Sequence, residues 1–233
     1  MSIKNKYAPA SLNEVIYPDA SVEMIVKSLA DGSMNDNVIF YGPRGTAKTT
    51  TANLLARAIG GSQARIESDF VNLLAMPSLK SYLQQSCFNA HLFYDSKLIL
   101  LFNEFDNYKS APHQLWDAMD ELQEKGLMLI ITTNDLMAIH ASIRSRCSMI
   151  EFPAVSAIAM LPRAQQILIA EGLNLPDEQV LSYLKERERF GDHRKYIERL
   201  NELLLIHKSG LPFPLWSAQK PNLKVVNPKK PKE

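Results

Sequence analysis

Gly42-Pro43-Arg44-Gly45-Thr46-Ala47-Lys48-Thr49-Thr50 follows the apolar run Val38-Ile39-Phe40-Tyr41 and opens an amphipathic run over residues 49–59. The order strand, glycine-bearing loop, helix is what a nucleotide phosphate-binding loop requires. Backbone N–H groups of such a loop and of the helix N-terminus point at phosphate oxygens. Lys48 stands where a lysine reaches the β- and γ-phosphates, and Thr49 where a hydroxyl reaches Mg²⁺. All nine residues from Gly42 to Thr50 are therefore expected to line the phosphates. One position departs from the G-x-x-x-x-G-K-[ST] pattern: Ala47 replaces the second glycine, whose missing side chain normally lets backbone approach phosphate closely.

Working outward, the remaining apolar runs fall into place. Leu98–Phe102 and residues 127–131 are uninterrupted apolar stretches, the mark of central strands covered on both faces. Strands are expected at 38–41, 98–102, 127–132 and 148–152, with another at 64–69. Helical spacing places helices at 22–30, 49–59, 79–93 and 113–125. Strands alternating with helices predict an α/β domain with a parallel, doubly wound sheet. Residues 1–20, with Pro9 and Pro18, read as an extended lead-in.

The pattern changes at Pro153. Beyond it only helical spacing appears, at about 163–171, 177–189 and 192–207, with breaks at Gly172, Pro176 and Gly191. The expected organisation is an α/β nucleotide-binding domain over 1–153, a small all-helical lid over 154–208 and a disordered basic tail over 209–233. That tail carries Lys220, Lys224, Lys229, Lys230 and Lys232, which favour phosphate backbones without sequence choice. The segment Leu211-Pro212-Phe213-Pro214-Leu215-Trp216 before it is apolar and suits packing on the lid or on a partner.

Composition narrows the rest. Of 233 residues 46% are apolar, enough for a substantial core, and the net charge of +1 gives no global attraction to nucleic acid. Cys87 and Cys147 are the only cysteines and lack metal-type spacing, so neither a disulfide scaffold nor a zinc site is indicated. The first eleven residues are polar, without a leader's apolar region, and no run approaches a membrane span. A cytoplasmic location is expected.

Four further places bear polar groups where chemistry needs them. The strand 98–102 ends in Asn103-Glu104-Phe105-Asp106. In phosphate-loop ATPases a first acid here helps hold Mg²⁺ and a second polarises the attacking water. Glu104 fills the second role; Asn103, a neutral donor to a hard cation, fills the first more weakly. Asn134 at the tip of the next strand is placed to hydrogen-bond the γ-phosphate or the water. Ser142-Ile143-Arg144-Ser145-Arg146-Cys147 precedes the last strand, where an arginine can reach a neighbouring subunit's nucleotide. Gly191-Asp192-His193-Arg194-Lys195 starts a lid helix with Asp192 as N-cap and Arg194 able to fold back on the phosphates.

Together these stretches resemble the AAA+ ATPases, in particular the small subunits of sliding-clamp loaders of the replication factor C and phage types. Lys6-Tyr7-Ala8-Pro9 resembles the family's Lys-Tyr-Arg-Pro lead-in, with Ala8 for arginine. Gly42–Thr50 resembles Walker A, and Ser68-Asp69 the end of the second strand. Asn103-Glu104-Phe105-Asp106 resembles Walker B, Thr132-Thr133-Asn134 sensor 1, Ser145-Arg146-Cys147 the clamp-loader Ser-Arg-Cys motif and Gly191–Lys195 sensor 2. The resemblance covers about residues 4–205 and no stretch matches the family's C-terminal collar. It implies ATP and Mg²⁺ as cofactors, with Thr49 and Asn103 on the metal. It makes Glu104, Asn134, Arg146 (in trans) and Arg194 the catalytic groups. The implied partners are a homo- or hetero-oligomer of AAA+ subunits, a sliding clamp and primer–template DNA bound without sequence preference, in DNA replication, with no membrane. Two alternatives stay open: an ATP-gated adaptor of little or no turnover, motivated by Ala47 and Asn103, and a remodeller of another nucleoprotein complex, in helicase loading or transposition.

Overall fold

The computed structural model describes residues 3–61, 65–105 and 113–214. Five strands, β1 (Val38–Tyr41), β2 (Arg65–Glu67), β3 (Leu98–Phe102), β4 (Leu127–Thr133) and β5 (Ser148–Glu151), form one sheet in the order β2-β3-β4-β1-β5. Every pairing is parallel, with Val38 opposite Ile130 and Ser148, and Leu98 opposite Leu127. The predicted doubly wound α/β architecture is thus the observed one.

Burial explains why the apolar runs are strands. All five residues of β3 are at most 2% exposed, and their alternate faces feed two cores. Leu98, Leu100 and Phe102 pack against α5 (Leu79–Tyr94) and α6 (His113–Leu122), whereas Ile99 and Leu101 pack with α2 (Ala20–Ala30) and α3 (Lys48–Gly60). Each such buried Leu, Ile or Phe contributes about 1.5–3 kcal/mol. Asp19 caps α2, its carboxylate accepting from the N–H groups of Ser21 and Val22 at 2.8 and 2.9 Å. Short α4 (Phe70–Leu74) begins at Asp69, which accepts from Asn72 N–H.

The helical part consists of α8 (Ala157–Ala170), α9 (Asp177–Lys185) and α10 (His193–Ser209) around Met160, Ile167, Tyr183, Tyr196 and Leu200. Three boundaries differ from the sequence expectation. α8 starts six residues earlier than expected, at Ala157, and contains Pro162. Pro162 is exposed on the same face as Ile158, so the carbonyl deprived of its i+4 donor looks toward water. α9 stops at Lys185, followed by a 3₁₀ turn, Glu188–Phe190. α6 ends at Leu122, because a turn through Gly126 (φ 92°) must lead directly into β4. The lead-in, expected to be extended, contains α1 (Ile3–Lys6) and a 3₁₀ turn at Leu12–Glu14, and α7 (Ala141–Arg144) precedes β5.

The lead-in is pinned to the helical part. Glu171 at the end of α8 accepts from Lys6 Nζ at 2.6 Å and from the Tyr7 hydroxyl at 2.8 Å, and these two bonds pull its pKa down to about 2. Arg163 donates to the Tyr7 carbonyl at 3.2 Å. Among the described residues no helix is long and apolar enough to cross a membrane. Asp106 and the basic segment 215–233 lie outside the described residues.

Candidate nucleotide-binding site

A cleft of about 600 Å³ opens where the C-terminal ends of β1, β3 and β4 meet the lead-in and the first turn of α10. This is where open parallel sheets bind ligands. Its lining joins loop residues Arg44 to Thr50, Glu104, Thr132 to Asn134, and Arg194.

The loop geometry follows from its glycines. Gly42 and Gly45 have φ of 132° and 77°. A Cβ on Gly42 would stand 2.2 Å from the Phe152 carbonyl oxygen, and one on Gly45 would stand 2.0 Å from the Asp192 carboxylate. Ala47 adopts φ 70°, a left-handed conformation that costs a non-glycine residue about 1–2 kcal/mol. The backbone thus keeps the shape glycine would give, with one methyl added. Thr46 donates to the Pro43 carbonyl at 3.0 Å and Thr51 to the Ala47 carbonyl at 3.0 Å, stiffening both ends.

Lys48, only 6% exposed, donates its Nζ to the carbonyls of Gly42 at 2.7 Å and Pro43 at 2.5 Å and to Asn134 Oδ1 at 3.2 Å. An ammonium held at the mouth of this loop is the group that a phosphate loop presents to phosphate oxygens. Asn134 reaches it because β4 lies beside β1. Asn134, expected to hydrogen-bond the γ-phosphate or the water, here accepts from the loop lysine.

Glu104 faces the cleft, and its backbone (φ 53°) donates N–H to Thr132 Oγ1 at 3.1 Å. The same hydroxyl donates to Asn103 Oδ1 at 3.3 Å. Thr132 thus ties the ends of β3 and β4 together and turns Asn103 toward β4; Asn103 is not among the residues lining the cleft. Among the described residues, the oxygen donors in the cleft that could serve Mg²⁺ include the Thr49 hydroxyl and the Glu104 carboxylate, whereas the Asn103 amide oxygen, expected on the metal, accepts from Thr132 and does not line the cleft. That oxygen set suits a hard cation that keeps several of its waters.

The lid contributes through α10. His193 N–H donates to the Gly45 carbonyl at 3.0 Å, so the first turn of α10 rests on the loop. Asp192 caps the helix, accepting from Arg194 N–H at 2.7 Å, and also holds Arg194 Nε at 3.1 Å. Arg194 lines the cleft as expected and stands half-exposed beside that carboxylate.

Arg146 is elsewhere. It does not line the cleft; its guanidinium is held by Asp120 of α6 and by the Ser142 carbonyl. Sequence reasoning missed Asp120, which sits 26 positions away on another element with no shared periodicity. It also missed Asn37, a buried amide that accepts from Leu129 N–H at 2.7 Å and donates to the Arg146 carbonyl, fastening the arginine turn to the sheet.

The family model of the ATPase family associated with various cellular activities (AAA) matches residues 38–154. Replication factor C subunit 4 of Encephalitozoon cuniculi is 24% identical over 175 residues, covering 75% of this chain and 56% of that protein. Replication factor C small subunit 1 of Pyrobaculum arsenaticum is 27% identical over 198 residues, covering 84% of this chain and 59% of that protein. The chain thus spans somewhat under two thirds of the length of these relatives. The structure titled Thermotoga maritima RuvB Holliday junction branch migration motor matches with a TM-score of 0.63 and 19% identity, over 87% of this chain and 67% of that one, a likeness of fold. With half its length matched by the family model and the phosphate loop, Glu104 and Asn134 assembled in one cleft, the chain belongs to the AAA family of ATPases.

Proposed function

We propose that this protein is an ATP-hydrolysing AAA+ subunit of a clamp-loader-like oligomer that acts on primer–template DNA in replication, in the cytoplasm. The observation that carries this reading is the separation of the two arginines. Arg194 lines the chain's own cleft, whereas Arg146 lies outside it on a surface turn. A site equipped with its own lid arginine and a second arginine facing away suits a subunit that completes a neighbour's site.

Within the cleft each residue has a physical task. Lys48 and the loop N–H groups hold the phosphates, and Thr49 takes the Mg²⁺ side, with Asn103 outside the cleft lining at the end of β3. A Mg²⁺ held on the Thr49 side would supply Lewis-acid stabilisation of the phosphate charge. Glu104 orients and polarises the attacking water, and Asn134 holds water or γ-phosphate in line. Arg194 leaves Asp192 to meet the γ-phosphate from the first turn of α10, which already rests on the loop. Arg146 from a neighbour stabilises charge on the transferring phosphoryl group. Partner contacts are supported by apolar side chains at the end of α5: Phe88, Leu92, Phe93 and Tyr94 are 50–67% exposed. A sliding clamp is the partner the replication factor C likeness suggests.

The test is steady-state ATP hydrolysis with and without primer–template DNA, using Lys48→Ala as the blank. DNA-stimulated turnover is expected. A mixture of Lys48→Ala and Arg146→Ala subunits should recover part of the activity each lacks, since one supplies the finger and the other the intact site. No recovery, with both variants folded, would overturn the trans role. A second reading, an ATP-gated adaptor of little turnover, is favoured by Asn103 and the strained Ala47. ATP binding without hydrolysis under all these conditions would select it.

A further inference from the structure

Tyr7 belongs to the cleft and to the lid at once. It lines the cleft, and it packs half-buried against the core of the lid. The end of the chain's lead-in is gripped there at two points. The Tyr7 carbonyl accepts from Arg163 Nη2 at 3.2 Å, and the Tyr7 hydroxyl donates to Glu171 Oε1 at 2.8 Å. Arg163 and Glu171 stand eight residues apart, about 12 Å along α8 and its C-cap, so one helix fixes both the backbone and the ring tip of a single residue.

Phosphates take the loop end of the cleft, which leaves the opposite wall to the nucleoside. That wall is of mixed character, Tyr7 and Met160 beside Lys4, Asn5, Glu14 and Arg163, as a base on a polar sugar is. Tyr7 is its one large aromatic side chain among the described residues, and bases pack on aromatic faces. Glu171 gathers more than the tyrosine. Its side chain is 13% exposed and also meets Lys6 Nζ at 2.6 Å and, from α10, Lys208 Nζ at 3.6 Å. The Lys6 and Tyr7 bonds hold it charged throughout the neutral range, so its bond to the hydroxyl is charge-assisted. Lead-in, α8 and α10 therefore meet at this one carboxylate, and a wall ordered before the ligand arrives spares binding the entropy of ordering it.

We propose, resting on the ATP-site reading above, that Glu171 is a positioning residue for the nucleotide: by holding the Tyr7 hydroxyl it sets the lead-in as the wall on which the nucleoside packs, and it ties that wall to the lid. Glu171 itself does not line the cleft and acts only through Tyr7. Its effect is separate from the phosphate contacts of Lys48 and Arg194.

The test is equilibrium binding of ATP and of inorganic tripolyphosphate to the wild type, Tyr7→Phe, Glu171→Ala, Glu171→Gln and the Tyr7→Phe/Glu171→Ala double variant. Tyr7→Phe keeps the ring and drops the bond. It is expected to weaken ATP about 3- to 12-fold, the worth of one ordinary hydrogen bond, and to leave tripolyphosphate unchanged. Glu171→Ala should lose at least as much, and the double variant no more than Glu171→Ala alone, since both changes remove the same bond. Glutamine, which keeps an acceptor for the hydroxyl, should recover part of the loss. Losses that multiply in the double variant would show two independent residues and overturn the proposal. Unchanged ATP affinity in Tyr7→Phe, or an equal loss for tripolyphosphate, would overturn it as well. Should Glu171→Ala not fold, the comparison of ATP with tripolyphosphate in Tyr7→Phe decides alone. Failure of the ATP-site reading itself has a different signature: Lys48→Ala would leave ATP and tripolyphosphate affinities untouched.

Discussion

Arg146 and Asp120 form a two-point ion pair, Nε donating to Oδ1 and Nη2 to Oδ2, each at 2.7 Å. Through these bonds the carboxylate raises the pKa of the guanidinium and the guanidinium lowers that of the carboxylate. Asp120 therefore holds the arginine extended on the surface before any neighbour arrives, at the cost of an ion pair that a nucleotide must outcompete. Since the folded pKa of Asp120 lies below its ordinary value, the pair persists through neutral pH and is lost only as pH falls through that lowered pKa. Asp120→Asn keeps the shape and removes the charge. Stability should change by less than about 1 kcal/mol, as for other exposed pairs, and assembly-dependent turnover should rise about 2- to 5-fold. A fall in turnover with unchanged ATP affinity would show instead that Asp120 positions the finger. Arg146→Ala should keep ATP affinity and lose about 10³-fold in assembly-dependent turnover.

Ala47 gives a second prediction. In Ala47→Gly the left-handed backbone (φ 70°) loses its strain, while the unfolded chain gains entropy worth about 0.4–1 kcal/mol. These offset, so thermal stability should move by under about 1 kcal/mol, whereas nucleotide affinity should rise as the methyl leaves the loop. Gly45→Ala should do the opposite. Its Cβ would meet the Asp192 carboxylate at 2.0 Å, lifting α10 from the loop, so a destabilisation of about 1–3 kcal/mol and a marked loss of ATP affinity are expected in melting and binding assays.

Much of this was legible in the sequence, for physical reasons that also mark where legibility ends. Leu98–Phe102 reads as a central strand because every residue is apolar, and every one is buried. Gly42 to Thr49 reads as a phosphate loop because glycine and lysine spacing encodes backbone shape and charge at once. Helix ends were less legible: Pro162 suggests a start after it, yet an exposed face lets water take the missing bond. The partners of the polar residues were not legible at all. Asp120 for Arg146, Thr132 for Asn103 and Glu171 for Lys6 are set by how separate elements pack, which periodicity does not record.

The Asn103–Thr132–Glu104 junction yields a third prediction. Asn103→Asp places a carboxylate at the Thr132 hydroxyl, which can still donate to it, and adds a charge on the Mg²⁺ side. Turnover should rise about 10-fold or more with tighter Mg²⁺ dependence, read from the metal titration of the ATPase rate. Glu104→Gln should bind ATP normally and lose about 10²- to 10⁴-fold in turnover, the usual worth of a positioned general base.

His193 makes stability depend on pH in a specific window. Its folded pKa of about 4 lies below the ordinary value of 6.5, because burial disfavours the imidazolium more than Asp192 favours it. Between those values the unfolded chain binds a proton that the folded chain refuses, so unfolding gains free energy as pH falls. The loss begins near pH 6.5 and is complete near pH 4, amounting to at most about 3 kcal/mol. Below pH 5 paired carboxylates such as Glu171 also titrate, so the upper part of the window, pH 6.5 to 5, isolates the histidine. Urea midpoints measured across that interval should fall with pH in the wild type and stay flat in His193→Leu. A wild-type midpoint independent of pH there would mean that the ring takes up a proton in the folded state and that the first turn of α10 opens to admit water.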